Sequence, residues 1–295
     1  MKIKATGKSA LRNDNVGYLY IAPSLIMIIA FALIPICMAA YYSLTKYSVI
    51  QEPQWVGLQN YITAFKDPMN KAALKNTIVY TIIVVPGTVI CSMLVAALIT
   101  SRKRTRFTGF VKSAMFIPVI SSSVLIGTLW RVIYHNQFGL LNMIIGLFGI
   151  PAQNWLGESE TALICLAVVG VWKNVGYFLV IYIAAIMDIP KDLYEAASLD
   201  GASGVQKFLH ITLPMLKPTT VFVMVMSTIW SFQAFELIFQ MTGGGPGDST
   251  MTLVYQIYKA AFRGYRMGYA CALAVLLFAI ILVISMIQRW LVKED

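Results

Sequence analysis

Six stretches of this chain are each long and apolar enough to cross a membrane as a helix. Such a helix needs about 20 mainly apolar residues to span roughly 30 Å of hydrocarbon. The six runs are residues 17–44, 74–100, 107–134, 161–187, 218–241 and 268–291. With 58% hydrophobic and only 12% charged residues, the chain cannot cover a soluble globule of its size with polar groups. The runs are also much longer than the roughly ten alternating residues of a barrel strand. The sequence therefore predicts an all-α membrane protein with six transmembrane helices.

Lysine and arginine residues predict the orientation of these helices. Six spans place both termini on one side, and that side carries fourteen lysine and arginine residues against seven on the other. Because short cytoplasmic loops are enriched in these residues, both termini and the polar loop at residues 188–217 are predicted to be cytoplasmic. We divide the chain into a cytoplasmic N-terminal segment, residues 1–16, and a six-helix transmembrane domain, residues 17–295.

The basic cluster at residues 102–106 is explained by the same rule. It lies in a short loop between two spans, where it sets the topology, so the net charge of +10 does not require a nucleic-acid partner. The basic and then apolar N-terminus resembles a signal peptide, but its apolar run is too long and no small-residue cleavage pattern ends it. We interpret it as a retained first helix.

The sequence lacks the motifs of catalytic, metal or cofactor chemistry. It contains no phosphate-binding G-x-x-x-x-G-K-[ST] loop, no H-E-x-x-H pair and no plausible hydrolytic triad. The cysteines lie inside predicted spans without metal-type spacing, and only two histidines are available. These residues are Cys37, Cys91, Cys165, Cys271, His135 and His210. We predict no catalytic residues, no metal site, no cofactor and no ATP hydrolysis by this chain itself.

The loop at residues 188–217 has the pattern of two short helices joined by a turn. Glu195 follows Asp192 near the start of the first helix, where the helix dipole favours negative charge. Gly201 permits a sharp turn, and Ser203 can cap the helix that follows. An ordinary solvated helical hairpin is the alternative interpretation of this pattern.

The spacing of three clusters in this loop resembles the cytoplasmic coupling motif, or EAA motif, of permease subunits in binding-protein-dependent ABC importers. The clusters are Glu195-Ala196-Ala197, Asp200-Gly201-Ala202 and Ile211-Thr212-Leu213-Pro214. The runs VGLQNY at 56–61, FGLLN at 138–142 and MTGGGP at 241–246 resemble the carbohydrate-uptake branch of these permeases. Within that branch the chain is similar to the maltose-type first permease subunit, without that protein's extra helices and large extracellular insert.

This resemblance implies the transmembrane domain of a type I ABC importer in a bacterial or archaeal inner (plasma) membrane. It implies a heterodimer with a sister permease, two cytoplasmic ATPase subunits, and an extracytoplasmic solute-binding protein that delivers a sugar or oligosaccharide. Residues 243–247 and 255–265 are expected to receive that binding protein. As a carry-over from the family, the residues that dock the ATPase are Tyr194, Glu195, Ala196, Ala197, Asp200 and Gly201.

Polar residues in the fourth and fifth spans are the candidates for the substrate pathway, because polar groups inside a membrane tend to face a cavity or a partner. On the fifth span, Ser227, Trp230, Ser231 and Ala234 have helical spacing and share one stripe. An indole beside hydroxyls suits a sugar, which offers both a C–H face and hydroxyl groups. In maltose-type permeases the positions at or near the bound sugar match Lys173, Asn174, Tyr177, Ser227, Trp230, Ser231 and Ala234.

The sequence is compatible with several alternatives. Trp172 and Trp230 could be packing or interface aromatics, and Lys173 could form a buried ion pair with Glu236. Hydropathy alone would also allow a secondary transporter or channel that works without ATP. Such a protein is expected to carry intramembrane carboxylates for ion coupling, whereas Glu236 is the only acidic residue well inside a predicted span.

Overall fold

Helices dominate the computed structural model, which describes residues 14–101 and 106–291. Most of the predicted N-terminal segment, 1–16, and most of the basic cluster, 102–106, lie outside the described residues. The helices are α1 (Asp14–Ile28), α2 (Ile34–Ser43), α3 (Gln59–Lys66), α4 (Pro68–Thr100), α5 (Arg106–Ile120), α6 (Ser123–Ile133), α7 (Leu140–Gly146), α8 (Ala162–Met187), α9 (Lys191–Leu199), α10 (Gly204–Lys207), α11 (Leu213–Met215), α12 (Lys217–Phe232), α13 (Glu236–Met241), α14 (Leu253–Tyr258) and α15 (Met267–Leu291). Three π-helical turns occur at Ile29–Leu33, Phe208–Thr212 and Lys259–Arg263.

Four described helices are long and apolar enough to cross a membrane unbroken. They are Tyr20–Ser43, Pro68–Thr100, Ala162–Met187 and Met267–Trp290. Two further candidates are bent pairs: α5 and α6 meet at 105°, and Gly204–Met215 meets α12 at 67°. In the second pair, α12 is the part that matches the predicted fifth span, and Gly204–Met215 belongs to the loop at residues 188–217. Counting each bent pair as one span gives six, the predicted number.

Two predicted spans are nevertheless not continuous helices. The third breaks between α5 and α6, where Ser122 is extended and its hydroxyl accepts the Val124 amide, so this serine caps a new helix. The fifth, predicted at 218–241, ends at Phe232 and resumes at Glu236. These breaks correct the prediction of uninterrupted spans.

The direction of the central helices follows from what they pack against. Tyr80 and Val84 of α4 lie against Gly170 of α8, while Ile99 and Ile186, near the opposite ends of the same helices, share a buried cluster. Helices α4 and α8 therefore run parallel. Since two parallel spans must be joined by one that returns, α5 and α6 together make a single crossing.

A two-stranded hairpin was not anticipated by the all-α prediction. Strands β1 (Thr45–Ser48) and β2 (Gln51–Trp55) pair antiparallel just after α2. They lie at the start of α15, where a side chain at Gly268 would collide with the Thr45 carbonyl. We call this end of the bundle the hairpin end. The opposite end, which carries α9 to α11, is the loop end.

The contact between α5 and α8 generates the first prediction. A Cβ at Gly176 would collide with the backbone carbonyl of Met115, so Gly176→Ala should force the two helices apart and destabilise the fold by about 1–3 kcal/mol. We expect a lower melting temperature of the purified protein in detergent. Gly109→Ala on α5 is the matched control: its Cβ would meet no atom within 4 Å, and alanine favours the helix by about 0.5–1 kcal/mol. Equal melting temperatures for both variants would contradict this close approach.

Candidate functional sites: a helical loop and a central cavity

At the loop end, α9 projects from the bundle with no buried residue of its own. Buried side chains anchor the loop near both of its ends, Ile189 just before α9 and Leu216 just before α12. The hydroxyls of Tyr194 and Thr212 are hydrogen-bonded at 2.8 Å and join α9 to the second half of the loop. The helix is thus held at its base while its outer face stays exposed.

The end of α9 is shaped by Gly201. This glycine has a φ of +74°, in the left-handed region that side chains resist. Its amide donates to the Ser198 carbonyl at 3.2 Å, and the Ala202 amide donates to the Ala197 carbonyl at 2.9 Å. The two bonds form a Schellman motif, which satisfies carbonyls that the helix end leaves free. The glycine predicted to turn the chain does so by this means.

A second cap fixes the segment after the turn. The Ser203 hydroxyl accepts the Gln206 amide at 3.3 Å, while the Gln206 side chain accepts the Ser203 amide at 2.7 Å. This reciprocal capping box starts α10. The Lys207 ammonium then donates to the Ser198 hydroxyl at 2.7 Å, which ties α10 back to α9. Hydrogen bonds thus hold α9, the turn at Gly201 and α10 together as one unit.

The predicted docking residues lie on this unit. Four of them, Glu195, Ala196, Asp200 and Gly201, are exposed, and the other two, Tyr194 and Ala197, are half-buried. The structure adds apolar side chains that sequence reasoning did not select: Leu199 is 90% exposed and Val205 67% exposed. The exposed surface of the loop combines carboxylates with large apolar groups, as a protein-binding surface does.

The second site is a cavity of about 350 Å³ in the middle of the bundle. It lies beside both helix breaks, since its wall includes Val119 just before the first and Gln233, Ala234 and Phe235 within the second. We call it the central cavity. Its lining residues are Tyr80, Val119, Gly170, Lys173, Asn174, Tyr177, Trp230, Gln233, Ala234, Phe235, Glu236 and Leu237.

One stripe of α8 forms a wall of the central cavity. Gly170, Lys173, Asn174 and Tyr177 have helical spacing and all line it. Across from them, Trp230 packs against Tyr177 with ring centroids 5.0 Å apart. Five of the seven predicted pathway residues therefore lie together at this cavity, with an aromatic surface beside amide and charged groups: Lys173, Asn174, Tyr177, Trp230 and Ala234.

Lys173 and Glu236 both line the cavity without forming an ion pair. The Lys173 ammonium donates to the Ser123 hydroxyl, at the first residue of α6. No salt bridge between Lys173 and Glu236 occurs in the described part of the chain, so the ion-pair alternative is not what the structure shows. One cation and one carboxylate are left to face the cavity.

Two predicted pathway residues lie elsewhere. Ser227 and Ser231 are fully buried, do not line the cavity, and have hydroxyls with no hydrogen-bond partner among the described residues. The stripe predicted on the fifth span is also shorter than expected, because α12 ends at Phe232. Ala234 therefore lines the cavity from the break between α12 and α13, not from a helix. Trp172 packs against Trp130, with centroids 5.5 Å apart, outside the cavity.

Sequence reasoning missed Tyr80 and Phe235 as cavity residues. Tyr80 reaches the cavity from α4 because Gly170 has no side chain; a Cβ there would collide with the Tyr80 hydroxyl. A tyrosine within an aliphatic span was the available signal. The sequence around Phe235 offered no such signal, because this residue lines the cavity only as a result of the break between α12 and α13.

Comparisons with known proteins agree with this architecture. Residues 71–294 match the family described as the inner membrane component of binding-protein-dependent transport systems. The chain is 35% identical over 280 residues to the probable ABC transporter permease protein YurN of Bacillus subtilis, covering 94% of this chain and 96% of the relative. It is 30% identical to the trehalose/maltose transport system permease protein MalF of Thermococcus litoralis, covering 95% of this chain and 94% of that relative.

The fold is similar to that of a chain in a crystal structure of a bacterial alginate ABC transporter, with a TM-score of 0.85 at 23% identity. That transporter is in complex with a periplasmic protein bound to alginate pentasaccharide. That match covers 95% of this chain and 94% of the other.

The Schellman turn generates the second prediction. Gly201→Ala places a side chain in the left-handed region, which costs about 1–2 kcal/mol, without a clash, since no atom lies within 4 Å of its Cβ. We expect the Ala202 amide to exchange its hydrogen roughly five- to thirtyfold faster, measured by hydrogen–deuterium exchange. Gly204→Ala is the control, because its Cβ also meets nothing within 4 Å and it has no positive φ. Unchanged exchange in Gly201→Ala would show that the turn does not depend on glycine.

Proposed function

This chain belongs to the family of inner membrane components of binding-protein-dependent transport systems, and on this basis we propose that it is a permease subunit of an ATP-driven ABC importer. It forms the translocation pathway for a sugar or oligosaccharide together with a sister permease. An extracytoplasmic solute-binding protein delivers the substrate, and two separate cytoplasmic ATPase subunits hydrolyse ATP. The chain itself transports and does not catalyse.

The central cavity is the observation that carries the proposal of a sugar substrate. Its aromatic surface, Trp230 beside Tyr177, suits the C–H face of a sugar ring. Asn174 and Gln233 line the same cavity and offer amide donors and acceptors for hydroxyl groups. The names of similar proteins support this class, since they include arabinooligosaccharides and trehalose/maltose transport systems.

We propose that the helical loop couples ATP hydrolysis to transport. Helix α9 seats in a cleft of an ATPase subunit, where Glu195 and Asp200 pair with basic groups and Leu199 is buried. Because only Leu216 separates α11 from α12, closure of the ATPase subunits moves α12 and with it the wall of the cavity. A rigid helix in this way converts displacement at the docking point into alternating access at a central site.

The proposed orientation places the loop end and both termini in the cytoplasm. It is supported by the distribution of lysine and arginine and by the position of α9 at the end away from the hairpin. The hairpin end then faces the solute-binding protein. Residues 243–247 and 255–265, in the loop after α13 and around α14, are proposed to receive it.

An ATP-independent transporter or channel is the weaker proposal. A transporter of this kind would use intramembrane carboxylates for ion coupling. Among the described residues, Glu236 is the only carboxylate that lines the central cavity. Family membership also points to a transport system that depends on a binding protein. ATP-driven import is therefore the function that the chain supports best.

Removing the indole of Trp230 tests the pathway. In vesicles containing the complete importer, Trp230→Ala should lower uptake efficiency roughly tenfold, because loss of about 1.4 kcal/mol of ring contact is a factor of ten. The sugar used is the one that the accompanying binding protein retains. Trp290→Ala is the control, since that indole is 70% exposed on α15, away from the cavity. Uptake unchanged in both variants would remove Trp230 from the pathway.

Reversing a charge on α9 tests coupling. Glu195→Lys should abolish co-purification with the ATPase subunits, or weaken it at least tenfold, because it sets like charges against each other in a buried contact. The readouts are pull-down yield and ATP hydrolysis stimulated by the loaded binding protein. Glu160→Lys makes the same change on an exposed residue at the hairpin end, and its pull-down yield should stay at the wild-type level. Full stimulation in Glu195→Lys would contradict docking through α9.

A further inference from the structure

A second groove lies at the hairpin end of the bundle, outside the central cavity. It has a volume of about 450 Å³ and is formed chiefly by the start of α4 and one face of α15, with part of α3. Leucine, isoleucine and valine side chains make up most of its lining. Its polar members, Asn70 and Lys71, both come from the first turn of α4. We call it the lateral groove.

The length of the lateral groove matches one leaflet of a bilayer. Along α15 its lining runs from Leu273 to Ile284, which is roughly 16 Å at 1.5 Å per residue. The hydrocarbon of one leaflet is about half of 30 Å. Phe65 and Val283, near the two ends of the groove, are 66% and 52% exposed. The groove is therefore open on the outside of the bundle and extended along the membrane normal.

Asn70 leaves an acceptor without a donor at the polar end of the groove. Its side chain is only 6% exposed, and its amide nitrogen donates to the Ala64 carbonyl at 2.9 Å and to the Tyr269 hydroxyl at 2.7 Å. Its Oδ1 has no partner among the described residues. A buried acceptor left in this way is destabilising, because it has lost its hydrogen bond to water and gained none in the protein. A ligand hydroxyl would supply the missing donor once the amide turns its Oδ1 toward the groove.

The same end of the groove is cationic. Lys71 is exposed and lines it, Lys66 lies in the last turn of α3, and the Arg266 guanidinium sits over the Tyr269 ring at 4.0 Å. The nearby carboxylate of Asp67 accepts hydrogen bonds from the Met69 amide and the Tyr269 hydroxyl. This carboxylate is thus already bonded, and the net charge around the mouth favours an anion.

We propose that the lateral groove binds an anionic glycerophospholipid. An acyl chain lies along α15, the phosphate binds Lys71, and the Asn70 amide turns toward the groove so that its Oδ1, enclosed in this structure, accepts a hydroxyl of the headgroup. Phosphatidylglycerol combines these three features. An apolar helix of another protein would match the apolar wall alone and would leave the cation and the buried acceptor without counterparts, so the lipid is the better fit.

Lipid retention tests the proposal. The full chain, purified with the subunits that accompany it, is equilibrated in nanodiscs of phosphatidylglycerol and phosphatidylcholine, and the lipids it retains are counted by native mass spectrometry. We expect preferential retention of phosphatidylglycerol, reduced roughly five- to tenfold by Lys71→Gln. Lys75→Gln is the matched control, because Lys75 is an exposed lysine one turn further along α4 that does not line the groove. Leu276→Trp, which fills the groove, should reduce retention of phosphatidylglycerol with the charge unchanged.

Four outcomes would overturn the proposal. Equal retention of the two lipids would remove the role of charge, and equal effects of Lys71→Gln and Lys75→Gln would remove the specific site. Displacement of the lipid by millimolar sn-glycerol 3-phosphate would show a site for soluble phosphates instead. Loss of subunit assembly in Leu276→Trp, with phosphatidylglycerol retention intact, would show that the groove is a protein contact.

Discussion

Every backbone N–H and C=O group that enters a membrane needs a partner within the protein, because each unsatisfied group in hydrocarbon costs several kcal/mol. This constraint makes the two broken spans informative. At the first break, the Ser122 hydroxyl accepts the Val124 amide at 3.3 Å. At the second, the Thr252 hydroxyl donates to the Ala234 carbonyl at 3.1 Å. Side chains thus supply the missing partners, and the central cavity opens where the helices are interrupted.

The cavity and the helical loop are joined by one element. Helix α12 starts next to the buried Leu216 and ends at Phe232, beside the cavity, so it covers about 24 Å at 1.5 Å per residue. It packs against α4, α8 and α15. A movement imposed at the loop end can reach the cavity through this helix without local unfolding. The helical loop and the central cavity are therefore connected by covalent continuity as well as by packing.

The length of the apolar runs was sufficient to predict six crossings, because a span is a local property of the sequence. The turn at Gly201 was also predictable, since only glycine adopts its conformation without strain. The helix breaks were not predictable in this way. At the break near Ala234, the free carbonyl is hydrogen-bonded by Thr252, which lies 18 residues away in the chain. Ser227 and Ser231 share a helical stripe with Trp230, yet only Trp230 reaches the cavity. Periodicity defines a stripe but does not show which part of it meets a neighbouring helix.

The first span stands apart from this machinery. The most apolar window of Tyr20–Ser43 contains no buried residue, and the span meets the bundle mainly where α2 packs against α15. The family match begins at residue 71, after this span. A helix that contributes so little to the core can be lengthened, duplicated or replaced at small cost in stability. Evolution can therefore alter the number of helices before α4 while the central cavity and the helical loop remain intact.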